Sequence, residues 1–175
     1  MTDTKITRRA MLGSSAAAAA TLSAPAAKAR PADTFDYEIQ RSDDEWRAML
    51  SEDEYNILRG GQTEWPKTSP LWEGTRDGTY HCRGCDLPLF EANWKVVLDK
   101  GWVFFEHSID NAVLTGIDGP VRQYGQNEMA VDAIALVEIH CRRCGSHIGH
   151  YLEVTRQQNL HCMNGTALEF RAAEA

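Results

Sequence analysis

Two Cys-x-x-Cys pairs constrain this chain more than any other feature. Cys82-Arg83-Gly84-Cys85 and Cys141-Arg142-Arg143-Cys144 use four of its five cysteines, and Cys162 stands alone. Each pair follows a strand-like run and contains or adjoins a glycine, Gly84 or Gly145. That suits a tight knuckle aiming two thiolates at one ion, and four thiolates complete a closed tetrahedral zinc site. Haem attachment is excluded, because Asp86 and Gly145 rather than histidine follow the pairs. Two redox-active disulfides, or four thiols in an ordinary core, remain as alternatives. Without a thioredoxin-like βαβ pattern around them, structural zinc on Cys82, Cys85, Cys141 and Cys144 is the expectation. Such an ion joins segments far apart in sequence and stabilises a small domain as a staple.

The 175 residues suffice for one domain with a real core. Ser42-Asp43-Asp44-Glu45 has capping-box spacing, with Trp46, Met49 and Leu50 following at helical intervals. Ser51-Glu52-Asp53-Glu54 repeats the device before Tyr55, Ile57 and Leu58, and Gly60-Gly61 supplies the stop signal. Beyond Gln62 the helical period disappears. Short apolar runs at Gly78 to Cys82, Leu87 to Phe90, Trp102 to Phe105, Ala133 to His140, His150 to Val154 and Leu160 to Phe170 predict strands. The fold class is therefore α+β, mainly β: a small antiparallel sheet or barrel domain with short N-terminal helices and a four-cysteine staple.

The N-terminus is of another kind. Thr7-Arg8-Arg9-Ala10-Met11-Leu12 leads into an alanine-rich run that ends at Ala27-Lys28-Ala29. This predicts a removable export signal over residues 1–29, similar to twin-arginine signals, followed by a linker over 30–41 and a domain over 42–171. The apolar run is too short and too poor in leucine to predict stable membrane insertion. Removing Lys5, Arg8, Arg9, Lys28 and Asp3 takes away four positive charges and one negative, moving the formal charge from −7 to −10. An acidic domain without a basic stripe repels phosphate backbones, which argues against nucleic acid as a partner. The expectation is an exported, periplasmic monomer acting on small or neutral groups.

Cys162 lies in Leu160-His161-Cys162-Met163-Asn164-Gly165, where alternation sets Cys162, Leu160 and Asn164 on one face and His161 and Met163 on the other. An unpaired cysteine in an exported protein is either a reactive thiol or a buried inert one. Ser146-His147-Ile148-Gly149-His150 offers two imidazoles across a glycine turn, the kind of partner that nucleophilic thiol chemistry needs. The competing readings are zinc ligation, unneeded once four thiolates are present, and structural histidines.

With these residues in place, the chain resembles the B-type methionine sulfoxide reductases, which act on the R epimer. The resemblance runs from about Trp46 to Phe170. It rests on Gln62-Thr63-Glu64 followed by Pro66, the first knuckle with Pro88-Leu89-Phe90, Gly101-Trp102, the second knuckle leading into His147 and His150, and Cys162-x-Asn164 with Leu168 and Phe170. It implies Cys162 as the nucleophile, His147, His150 and Asn164 as its catalytic neighbours, and Trp102 with Phe105 as substrate-binding residues. It also implies a sulfenic acid on Cys162.

This chain departs from the family near the site. The family's Gly-Trp-Pro-Ser-Phe is here Gly101-Trp102-Val103-Phe104-Phe105; an aspartate after the second histidine is replaced by Val154, beside Glu153; and an arginine two before the cysteine is Leu160. His161 and Glu153 are the candidate substitutes, although alternation points Glu153 away from Val154's side. Lys100 stands where some members carry a second cysteine, so reduction of the sulfenic acid is expected to come from a thioredoxin-like or small-thiol donor. A non-catalytic zinc module and a thiol redox sensor are the alternative functions.

Overall fold

The computed structural model describes residues 35–118, 136–155 and 158–174. The expected export signal, the start of the linker and the first part of the strand at Ala133 lie outside the described residues. The unit Asp36–Ala175 contains everything discussed below.

Two helices open it. Ser42 caps α1 (Asp43–Met49), accepting from the Glu45 amide while Glu45 accepts from the Ser42 amide. Ser51 and Glu54 repeat the arrangement at α2 (Glu52–Leu58). Both first turns carry three acidic residues, which complement the positive end of the helix dipole. Isolated helices of seven residues are unstable in water, so packing must hold them. They bury Trp46, Ile57 and Leu58 against the strands. The guanidinium groups of Arg41 and Arg59 lie 4.8 and 4.7 Å from the Trp46 ring.

The strands are β1 (Gly78–Cys82), β2 (Pro88–Glu91), β3 (Lys95–Val96), β4 (Val103–Phe105), β5 (Val113–Asp118), β6 (Leu136–Cys141), β7 (His147–Thr155), β8 (Gln158–Met163) and β9 (Leu168–Ala172). They form two antiparallel sheets among the described residues, in the orders β2-β1-β9 and β3-β4-β8-β7-β6-β5. The mainly β architecture agrees with the sequence reading. β3 and β5 were not anticipated, and the run from Leu160 to Phe170 is two strands broken by a 3₁₀ turn at Gly165–Ala167.

Aromatic rings join the sheets. Phe105 of the larger sheet stacks on Phe90 at 4.4 Å and meets Tyr80 edge-on at 5.0 Å, and Tyr80 also touches Phe170. Phe90 and Phe105 are completely buried. Among the described residues no helix is long and apolar enough to cross a membrane.

Residues at the end of the expected linker are docked rather than tethering. The Ile39 amide donates to the Arg143 carbonyl at 2.9 Å, and Glu38 approaches Arg143. Gly145 has φ of 68°, and a Cβ there would lie 2.9 Å from the Tyr37 ring, so only glycine admits both the turn and the tyrosine.

Candidate active site and metal centre

Both cysteine pairs sit in the turn of a β-hairpin, and the two turns share one backbone pattern. The Cys82 amide donates to the Leu87 carbonyl and the Asp86 amide to the Cys82 carbonyl; Cys141 with Ser146, and Gly145 with Cys141, do the same. Asp86 and Gly145 occupy the equivalent left-handed position, with φ of 64° and 68°. Each knuckle thereby turns its two sulfurs the same way, and the four converge. Cys82 and Cys144 are 3.7 Å apart at sulfur, Cys85 and Cys141 3.5 Å, and all four lie within 4.8 Å of one another. Sulfhydryl donation, first from Cys141, holds Cys144 far below the ordinary thiol range. Four mostly buried sulfurs at these separations could hold a metal ion of tetrahedral, thiolate-preferring chemistry.

The second hairpin carries more than its knuckle. β6 pairs with β7 and β7 with β8, so that Glu138 lies opposite His150 and His150 opposite Cys162; across β4, Cys162 lies opposite Phe104. Directly opposed residues in antiparallel strands share a face. Glu138, His150, Cys162 and Phe104 therefore form one row across four strands. Gly149 allows β7 and β8 to come together there, since a Cβ on it would stand 2.2 Å from the Cys162 carbonyl oxygen. His147 joins the row through the bulge between Ile139 and His140. Its ring centroid is 5.0 Å from that of His150, and it is completely buried.

Two carboxylates hold the imidazoles. His147 Nδ1 is 2.8 Å from Glu138 Oε1, and His150 Nε2 is 3.3 Å from Asp118 Oδ2. A carboxylate accepting at Nδ1 places a proton on that nitrogen and fixes the orientation of the His147 ring. Glu138 and Asp118 do for the histidines what Glu153 and His161 were expected to do. Glu153 lies opposite Asn159 and is exposed. His161 is on the far face, edge-on to Phe90 at 5.7 Å and Tyr151 at 5.1 Å, and burial lowers its pKa.

Cys162 is half-buried, with Leu160 fully buried two residues before it and paired with Leu152. Burial, reinforced by the negative charge of Glu64 and opposed by Lys100, pushes its thiol up to about 12. Cys162 is thus a thiol at neutral pH, and whatever attacks through it must place the proton elsewhere.

Glu64 was not singled out as a site residue by sequence reasoning. It is 3% exposed, and its carboxylate accepts from the amides of Gly165 and Thr166 at 2.6 and 2.9 Å and from the Thr166 hydroxyl. Its amide donates to Asn164 Oδ1, and its carbonyl accepts from the Trp102 indole at 3.2 Å. Asn164 Nδ2 donates in turn to the Ile148 carbonyl. Asn164 and Trp102 are thereby locked to one segment beside Cys162. In the sequence Glu64 stands out only within the Gln62-Thr63-Glu64 run of the resemblance, because its partners lie about a hundred residues away.

Phe105, expected to bind substrate, is instead a core residue. It pairs with His161, and its side chain stacks on Phe90 on the face away from Cys162. Phe104 occupies the row with Cys162. The one-residue difference arises because the side-chain direction alternates along β4.

A SelR domain model matches residues 50–172. The chain is 32% identical to "Peptide methionine sulfoxide reductase B3" of Arabidopsis thaliana over 139 residues, covering 77% of this chain and 72% of that protein. It is 34% identical to "Peptide methionine sulfoxide reductase B5" of Oryza sativa subsp. japonica, covering 77% and 92%. It is 31% identical to "Peptide methionine sulfoxide reductase MsrB" of Agrobacterium fabrum, covering 75% and 92%. With the paired knuckles, the histidine row and the lone thiol carried within the matched span, the chain belongs to the SelR family, the methionine sulfoxide reductases of type B.

Proposed function

We propose that this enzyme reduces methionine-R-sulfoxide to methionine through Cys162. The observation that carries the proposal is the register that sets Cys162 directly opposite His150 and in one row with Glu138. The Cys162 sulfur attacks the sulfoxide sulfur while the proton of the thiol passes to the sulfoxide oxygen, with His147 or His150 as the acid that delivers it. Collapse transfers the oxygen to Cys162, leaving methionine and a cysteine sulfenic acid. Two external thiols then return Cys162 to the thiol, releasing water and a disulfide. Substrate and product thus differ by one oxygen, and the protons balance. The high thiol pKa fits this route, since the substrate oxygen itself is the final proton acceptor.

Trp102 and Phe104 are the aromatic walls we assign to the substrate methyl group, and Asn164 positions the turn that follows Cys162. Cys82, Cys85, Cys141 and Cys144 would hold zinc, which would supply structure alone by cross-linking the two hairpins. Lys100 in place of a second cysteine supports a thioredoxin-like or small-thiol donor. Residues 1–29 support export to the periplasm, and zinc loaded before a twin-arginine passage would shield its thiolates from oxidation there. We infer a monomer.

The test is turnover of the separated R and S epimers by the metal-loaded protein with a chemical dithiol, beside Cys162→Ser. R-selective reduction that Cys162→Ser abolishes is the expected result. Equal or absent turnover of the two epimers by a folded, metal-loaded protein would overturn the reading.

A further inference from the structure

The histidine row has the composition of a second metal site. One ligand atom each from Asp118, His147 and His150 lies within 4.8 Å of the others. Asp118 Oδ2 and His150 Nε2 are 3.3 Å apart, close to the edge of roughly 3.4 Å between ligands about 2.0–2.2 Å from a tetrahedral zinc ion. His147 also arrives with the outer carboxylate typical of a metal-binding imidazole, since Glu138 Oε1 sits 2.8 Å from Nδ1. The three side chains come from β5 and β7, adjacent to β6 on either side, so the sheet itself sets their spacing. Both histidines are buried, and Asp118 is half-buried at the edge of the cluster.

We propose that Asp118, His147 and His150 bind a divalent transition-metal ion, zinc-like in its preference for nitrogen and oxygen, at a site distinct from the four cysteines. Two imidazoles and one carboxylate leave a coordination position open. Cys162, opposite His150, lies on the same face of the sheet. The ion takes the place of the hydrogen bond between His150 and Asp118 and draws a ring nitrogen of His147 into the same shell. Its occupancy therefore inhibits the reductase by removing the acid the reaction needs. The inhibitory part rests on the function proposed above, whereas the binding part rests on the geometry alone.

Cobalt titration of the metal-stripped full chain separates the two sites by spectrum. A thiolate site gives intense sulfur-to-cobalt charge transfer, and a nitrogen and oxygen site gives only weak visible bands. The expected result is two equivalents per chain, the first with the thiolate spectrum. Asp118→Asn and His150→Gln should keep the first equivalent, which shows that they fold, and bind the second at least tenfold more weakly. Glu138→Gln should weaken it by about 10- to 100-fold. Saturation at one equivalent in the unaltered protein overturns the proposal, as does an undiminished second equivalent in Asp118→Asn and His150→Gln. Turnover then tests the inhibition: zinc beyond the first equivalent should suppress reduction of methionine-R-sulfoxide, and full activity with both sites filled would overturn the inhibitory part.

Discussion

The two knuckle hairpins are built alike and used differently. In the first, Thr79 faces Glu91, Tyr80 faces Phe90 and His81 faces Pro88; in the second, Glu138 faces His150, Ile139 faces Gly149 and His140 faces His147. Both have a register shift just before the cysteine and a left-handed residue just after the pair. What differs is the returning strand. Pro88, Leu89 and Phe90 fill the first with apolar volume, whereas His147, Gly149 and His150 in the second supply two imidazoles and a gap that admits the Cys162 strand. The frame is shared, and the chemistry resides in three positions of one copy.

If the frame is common, removing one cysteine from either hairpin should have the same and largest effect. Cys82→Ser and Cys141→Ser should each lose the metal and more than about 4 kcal/mol of stability, read by metal content and chemical unfolding. Unequal losses would mean that one knuckle carries the fold alone. At the next level the returning strands should separate. Phe90→Ala should cost about 3–5 kcal/mol of stability, since it empties a fully buried aromatic stack. His147→Gln should instead lower kcat/KM by about 10²- to 10⁴-fold while the metal held by the four cysteines is retained.

Smaller effects concern Cys162. Burial favours its protonated form in the folded state, so its contribution to stability is fully present below about pH 9 and is lost as pH rises toward 12. Denaturation above pH 9 should show the unaltered protein losing stability relative to Cys162→Ser. Lys100→Ala removes a charge that lowers the thiol pKa, and should slow alkylation of Cys162 a few-fold at fixed pH.

Local signals were legible in the sequence and remote ones were not. Both capping boxes lie within four residues, and both helices begin where their serines predict. The cysteine spacing announced the knuckles because each is a local turn. β5 escaped notice because its alternation is interrupted by Gly116, and Asn111 precedes it in a left-handed turn. Phe105 and Phe104 were exchanged because a resemblance gives the order of residues, whereas only the register gives the face. Glu64, Asp118 and Glu138 were missed for a further reason: a carboxylate reads as surface until the sheet brings its partner to it, and Asp118 meets His150 across 32 positions.

The central claim is that Cys162, held in the histidine row, receives the sulfoxide oxygen. Single turnover without any reductant tests it, with one equivalent of methionine-R-sulfoxide and intact-mass and peptide analysis afterwards. The account predicts one methionine formed per chain and one oxygen gained on the peptide containing Cys162, trapped by a sulfenic-acid reagent. Formation of methionine with a disulfide among the knuckle cysteines, and Cys162 left as a thiol, would contradict it.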